Sequence, residues 1–152
     1  MVTKMIVDTA YLRTEILKIW PYLKSDDLIF WDQKYWLIPE AQIGLLLEKS
    51  MIPEMDFIRE FNDCDNYALQ FQAETRRKRY LSWKNGNLPR EERYPVAISL
   101  LWGTKWRGMS KNHKGNLFGC PEGIYIADST PMERRYWKAT AENDHPLKIN
   151  FA

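Results

Sequence analysis

The sequence predicts an α+β domain in which helices come first and an antiparallel sheet follows. Two patterns carry that expectation. Apolar residues at three- and four-residue intervals dominate the first half, whereas β-branched and aromatic runs bounded by Gly, Pro and Asn dominate the second. With 152 residues, residues 1–152 read as a single domain with room for one sizeable core.

Taken in order, Asp8 or Thr9 caps a helix running to about Trp20, with Leu12, Ile16, Ile19 and Trp20 on one face and Pro21 as its stop. The stretch LIFWDQKYWLIP has two apolar runs separated by Asp32, Gln33 and Lys34, the pattern of a hairpin. Its aromatics, Phe30, Trp31, Tyr35 and Trp36, exceed what one strand face holds, so some pack under other elements or line a cleft. Pro39 opens a short helix reaching about Ser50. A loop containing Pro53 then leads to Cys64 and a long helix to about Trp83, capped by Asp63, with Tyr67, Ala68, Phe71 and Gln72 toward the core.

The cations Arg76, Arg77, Lys78 and Arg79 suit the C-terminal half of that helix and read as a solvated face ahead of an anion site. Asn85, Gly86, Asn87 and Pro89 mark a loop, continued by the charged run from Arg90 to Arg93. VAISLLW reads as a strand buried on both faces and ending at Gly103. Residues 106–114 cross a turn; residues 114–118 and 123–127 then form a hairpin around Gly119, Cys120, Pro121 and Glu122. The run LKINF adds an edge strand.

Composition excludes several classes. Twenty-two basic and twenty acidic residues leave a net charge of +2, too little to argue for a nucleic-acid partner. The two cysteines are far apart in sequence, which argues against a zinc ribbon or a disulfide-dense scaffold, and both read as reduced thiols. No signal-peptide pattern and no membrane-length apolar run is present, so the expected product is soluble and cytoplasmic, without a membrane partner.

The chemistry concentrates at FNDCDNYA. Cys64 sits where an acidic segment gives way to a helix, and helix starts stabilise anions, so it is a candidate thiolate; a small buried hydrophobe is the bland alternative. The late hairpin supplies its partners. A turn centred between Cys120 and Glu122 sets His113 opposite residues 128–130, placing the Asp128 carboxylate beside an imidazole. An imidazole that takes the thiol proton and a carboxylate that fixes its tautomer are what a cysteine nucleophile requires. Asp63 and Asp65 flank Cys64 and oppose its ionisation, so something must offset them, unless they only cap the helix and accept its first-turn N–H groups. Asn116 falls on the opposite sheet face from His113 and reads as structural; His145 and Cys120 read as incidental.

FNDCDNYALQF, the spacing from Cys64 to His113, and HKGNLF followed by GIYIADSTP resemble the papain-like domain of the mushroom agglutinin type, a calcium-dependent cysteine peptidase, and its small phage-encoded relatives. The resemblance implies a papain-like fold. It makes Cys64 the nucleophile, His113 the general base and acid, and Asp128 the orienting residue, with calcium at Asp63 and Asp65 as the implied cofactor. The expected function is a cysteine hydrolase of peptide or amide bonds acting by acyl transfer on a protein or peptide substrate. Two departures stand out: Asn66 replaces the family's second carboxylate after the cysteine, and Ile58 replaces the glutamine that helps form the oxyanion hole, with Asn62 nearby but unmatched. The alternatives are a weakened papain-like fold that binds a host protein in the host cytoplasm, or a virion component.

Overall fold

The structure, a computed structural model, describes residues 5–50, 63–89, 92–131 and 133–151. Strand β1 (Ile6–Asp8) leads into helix α1 (Thr9–Ile19), and a 3₁₀ turn (Ser25–Asp27) into β2 (Leu28–Phe30) and β3 (Lys34–Trp36). Helices α2 (Glu40–Lys49) and α3 (Cys64–Lys84) follow. Then come β4 (Ile98–Trp106), β5 (Met109–Cys120), β6 (Gly123–Asp128), β7 (Arg135–Lys138) and β8 (His145–Phe151). The α+β class with helices ahead of the main sheet is therefore present.

The main sheet has six strands in the order β2-β8-β4-β5-β6-β7, and β1 pairs separately with β3. Only the β2–β8 pair of the main sheet is parallel. Alternation along the strands feeds two cores. Leu101, Leu117, Ile126 and Ile149 join Leu12 and Ile16 of α1 on one face. Ile98, Phe118 and Ala127 join Ile43 and Leu47 of α2 and Tyr67 and Phe71 of α3 on the other. Both faces are thus dry where helices cover them.

α1 begins as its sequence requires, with the Asp8 carboxylate accepting from the Tyr11 amide at 2.8 Å. α2 runs close to the expected span, with Pro39 at its N-cap. The β5–β6 hairpin has the expected tight connection, and its register pairs Asn116 with Ala127 and Cys120 with Gly123.

Four expectations are corrected. Residues 28–36 do not form a hairpin: β2 pairs with β8 and β3 with β1, while the Tyr35 hydroxyl accepts from the Trp31 and Asp32 amides at 3.2 and 3.0 Å. That buried hydroxyl satisfies the bend between the two strands. β8 is an interior strand between β2 and β4, because Ile149 and Phe151 are apolar and fully buried. β4 continues past Gly103 to Trp106 with a register shift, and His113 lies inside β5, since the turn is made at Arg107 and Gly108, both with positive φ.

The fourth correction concerns the cation cluster, which is only in part a solvated face. Arg76 donates to the Phe151 carbonyl at 3.0 Å. Arg79 donates to the Glu92 carbonyl at 2.8 Å and lies over the Trp36 ring at 4.0 Å. Both guanidinium groups therefore tie α3 to the sheet and its flanking loop. The segment 51–62, with Pro53, Ile58 and Asn62, and Arg90 lie outside the described residues.

At Gly103 the backbones of β4 and β8 approach closely. A Cβ there would come within 2.5 Å of the His145 carbonyl oxygen and 2.7 Å of the Trp106 ring. Gly103→Ala should cost about 1–3 kcal/mol, measured as a lower urea midpoint at unchanged denaturant slope; an unchanged midpoint would show that β4 and β8 are free to separate there.

Candidate functional site: a thiol, an imidazole and a carboxylate

α3 delivers Cys64 as its first residue, with Asp63 at the N-cap position in extended conformation. The expected cap hydrogen bond from the Asp63 side chain is not formed; its carboxylate accepts instead from the Asn66 side-chain Nδ2 at 3.4 Å. Asn116 fixes the height of this turn over the sheet. Its side-chain amide, fully buried, donates to the Ala68 carbonyl on α3 at 2.9 Å and to the Ser99 carbonyl on β4 at 3.1 Å. The structural role expected of Asn116 is the one it has.

The β5–β6 ladder stops at Asn116 and Ala127. Beyond it, the His113 ring and the Lys114 backbone amide lie close to the Cys64 sulfur. His113 Nε2 lies 2.6 Å from Asp128 Oδ2, so Nδ1 is the nitrogen left for Cys64. Asp128 is buried and held from behind, its other oxygen accepting from the Thr130 amide at 3.0 Å and the Thr130 hydroxyl at 2.7 Å. The edge of buried Trp106 packs against the His113 ring. The fold thus brings together Cys64, His113 and Asp128 from one helix and two strands.

The electrostatics follow from these contacts. Interaction with His113 lowers the Cys64 thiol against the opposing effects of burial and of Asp63, with further help from the Lys114 amide. Burial acts to lower the His113 imidazole, but its hydrogen bond to Asp128 and its interaction with Cys64 prevail and push it up to about 9. Burial likewise acts to raise Asp128, and its bonds to His113 and Thr130 hold it below the ordinary value. Both shifts act in the direction of a thiolate–imidazolium pair.

Lys114 answers the question posed by the flanking acids. Its ammonium sits 2.9 Å from Asp65 Oδ2. Contact with the Asp63 carboxyl and then with Lys114 holds Asp65 below its usual range. A calcium ion would have to displace this ammonium, and it takes six to eight oxygens. Among the described residues no group of three or more His, Cys, Asp or Glu side chains is placed to hold a metal. Asp63 and Asp65 therefore do not fit the ion by themselves.

Two further residues stand apart. Cys120 is buried, and burial pushes its thiol well above the ordinary value, so it is inert. His145 stacks on Tyr22 with centroids 4.5 Å apart. Sequence reasoning missed Lys114 and Thr130. The signal for Lys114 was present, because strand parity sends the residue after His113 toward the helix that carries Asp65.

The pair makes a specific demand on stability. A raised His113 stabilises the fold below its unfolded value near 6.5 and loses that contribution as pH rises through about 9. A lowered Cys64 does the opposite over the span between its folded and unfolded values, gaining stability as pH rises. The two slopes oppose each other, since thiolate plus imidazolium carries as many protons as thiol plus imidazole. Cys64→Ala should expose the His113 slope: urea midpoints of the variant fall from pH 6.5 to 9 more steeply than those of the native chain. Parallel profiles would show that the two groups do not share a proton.

No family model and no curated protein matches the sequence. Solved structures do. The chain is similar to PSL1a in a complex with E64, at 21% identity and a TM-score of 0.73, with 98% of this chain and 51% of that chain covered. It is also similar to the Polyporus squamosus lectin bound to Neu5Acα2-6Galβ1-4GlcNAc, at 20% identity and a TM-score of 0.72, covering 98% of this chain and 50% of that one. The chain thus spans about half the length of these structures. They correct the function expected from the sequence. The matched protein is a lectin, in keeping with the agglutinin-like part of the resemblance, and no comparison carries the peptidase or hydrolase part. The cysteine hydrolase assignment does not stand, nor does its alternative of a host-binding module or virion component. What the likeness establishes is that this chain has the fold of half of a mushroom lectin.

Proposed function

We propose that the arrangement is papain-like in architecture and that its working centre is a reactive thiolate: Cys64 as nucleophile, His113 as its proton partner, Asp128 as the group that orients the ring. The observation that carries this reading is the His113–Asp128 hydrogen bond at 2.6 Å, with the Cys64 sulfur close enough to the same ring for each to shift the other's proton affinity. The reaction is capture of an electrophilic carbon. The Cys64 sulfur forms a bond to that carbon, the carbon's bond to its leaving atom breaks, and the His113 imidazolium gives its proton to that atom when the atom requires one. Lys114 neutralises Asp65, so that this carboxylate does not oppose negative charge on the sulfur. The expected protein or peptide partner is kept as one ligand class for this centre.

A second reading is a carbohydrate-binding module. It is favoured by the lectin neighbours and by Trp31, which is 74% exposed beside Arg13, Asp26, Asp32 and Gln33 at an open concavity. An exposed indole bordered by short polar side chains suits stacking on a sugar ring.

Alkylation by iodoacetamide, followed by mass spectrometry from pH 5 to 9, tests the first reading. Below both thiol values the rate at Cys64 should exceed that of an ordinary cysteine by about tenfold per unit of thiol lowering. His113→Ala should remove that excess, and Cys120 should stay unmodified. Labelling of Cys64 at the rate of an unfolded-chain cysteine would end this reading. Calorimetric titration with Neu5Acα2-6Galβ1-4GlcNAc tests the second: binding that is lost in Trp31→Ala and kept in Cys64→Ala supports it, and absence of heat in the native chain removes it.

A further inference from the structure

A groove of about 320 Å³ lies between the first turns of α3 and three strands, and Asp65 and Lys114, the residues that follow Cys64 and His113, line it. Strand parity sets its floor. Leu100 pairs with Asn116 on one side and Asn150 on the other, and Trp102 pairs with Lys114 and Lys148, so these side chains share the sheet face that carries α3. Farther along that face, Phe71 of α3 closes onto Ile98 and Phe118. At the groove, by contrast, Leu69 and Trp102 remain 53% and 44% exposed.

The lining divides by chemistry. Leu69, Leu100 and Trp102 make an apolar wall. Lys114 is committed to Asp65, which cancels that carboxylate's charge. Lys148 stands at the same groove with no ion pair or hydrogen bond from its side chain among the described residues. A concave apolar strip that ends in an uncompensated ammonium is complementary to a group that is apolar along its length and anionic at its tip.

We infer that this groove is the specificity pocket of the thiolate centre and that it receives an alkyl or aryl arm ending in a carboxylate. The inference rests on the thiolate reading, because the arm belongs to the same molecule whose electrophilic carbon meets Cys64. The arm lies on Trp102 and Leu69, and its carboxylate meets Lys148.

The test uses N-substituted iodoacetamides of equal arm length whose alkyl arms end in a methyl, a carboxylate or an ammonium group, with plain iodoacetamide as reference. Rates of Cys64 alkylation are read by mass spectrometry on the whole chain. The carboxylate arm should react about tenfold faster than the ammonium arm, the ratio that about 1.4 kcal/mol of differential binding gives. Lys148→Glu should invert that order, and Trp102→Ala should bring every armed reagent down to the plain one. Both side chains are exposed, so neither change threatens folding, and each protein's rates are read as ratios to its own rate with plain iodoacetamide. One common rate for the three arms in the native chain, with fast reaction of the plain reagent, overturns the pocket while leaving the thiolate intact. Slow reaction of Cys64 with every reagent removes the thiolate, and the pocket that depends on it.

Discussion

Everything at this site depends on one buried amide. Asn116 reaches from β5 to a carbonyl of α3 and to a carbonyl of β4, at 2.9 and 3.1 Å, and so fixes the height and rotation of the first helical turn over the sheet. A buried amide loses much more when one partner is removed than it gains from forming the pair, so the helix has little freedom to shift by a fraction of a turn. The sulfur at the start of that helix inherits the constraint. Its contact with His113 is set by the same strand that carries the clamp, three residues earlier in the chain.

The charges around the sulfur form a balanced set. Asp63 acts against the thiolate, while His113 and the Lys114 amide act for it. Asp65 is answered by the Lys114 ammonium at 2.9 Å. An exposed ion pair of this kind contributes little to stability. Its effect is local, leaving the field at the sulfur dominated by the buried imidazolium. Asp128, deeper in the protein and fixed by both bonds from Thr130, keeps that imidazolium charged.

Much of this was legible in the chain. The Asp8 cap and the Leu12 and Ile16 stripe specify α1, and the turn residues around Pro121 specify a hairpin whose register brings His113 to Asp128. These are local signals, and local signals survive into the fold. What escaped was set by partners distant in sequence. Residues 28–36 carry the pattern of a hairpin, yet pair with β8 and β1 because Phe30 stacks on Phe151 at 5.0 Å and Tyr35 buries its ring beside it. Arg76 and Arg79 read as solvent-facing because nothing near them in sequence discloses the carbonyls of Phe151 and Glu92 that they meet. The constellation at Cys64 was readable as chemistry, whereas the use made of it was not, since one fold serves unrelated functions.

The interior position of β8 has a consequence for biosynthesis. The strand is the last of these strands to leave the ribosome, yet it lies between β2, the second of them, and β4. Until it emerges, β2 has no neighbour in the main sheet and one edge of β4 is bare, with Leu101 and the Phe30 ring lacking the residues that cover them. Contacts of such long sequence separation close slowly. The nascent chain therefore spends its synthesis with an open sheet edge and a half-built core, the state in which a chaperone has most to shield.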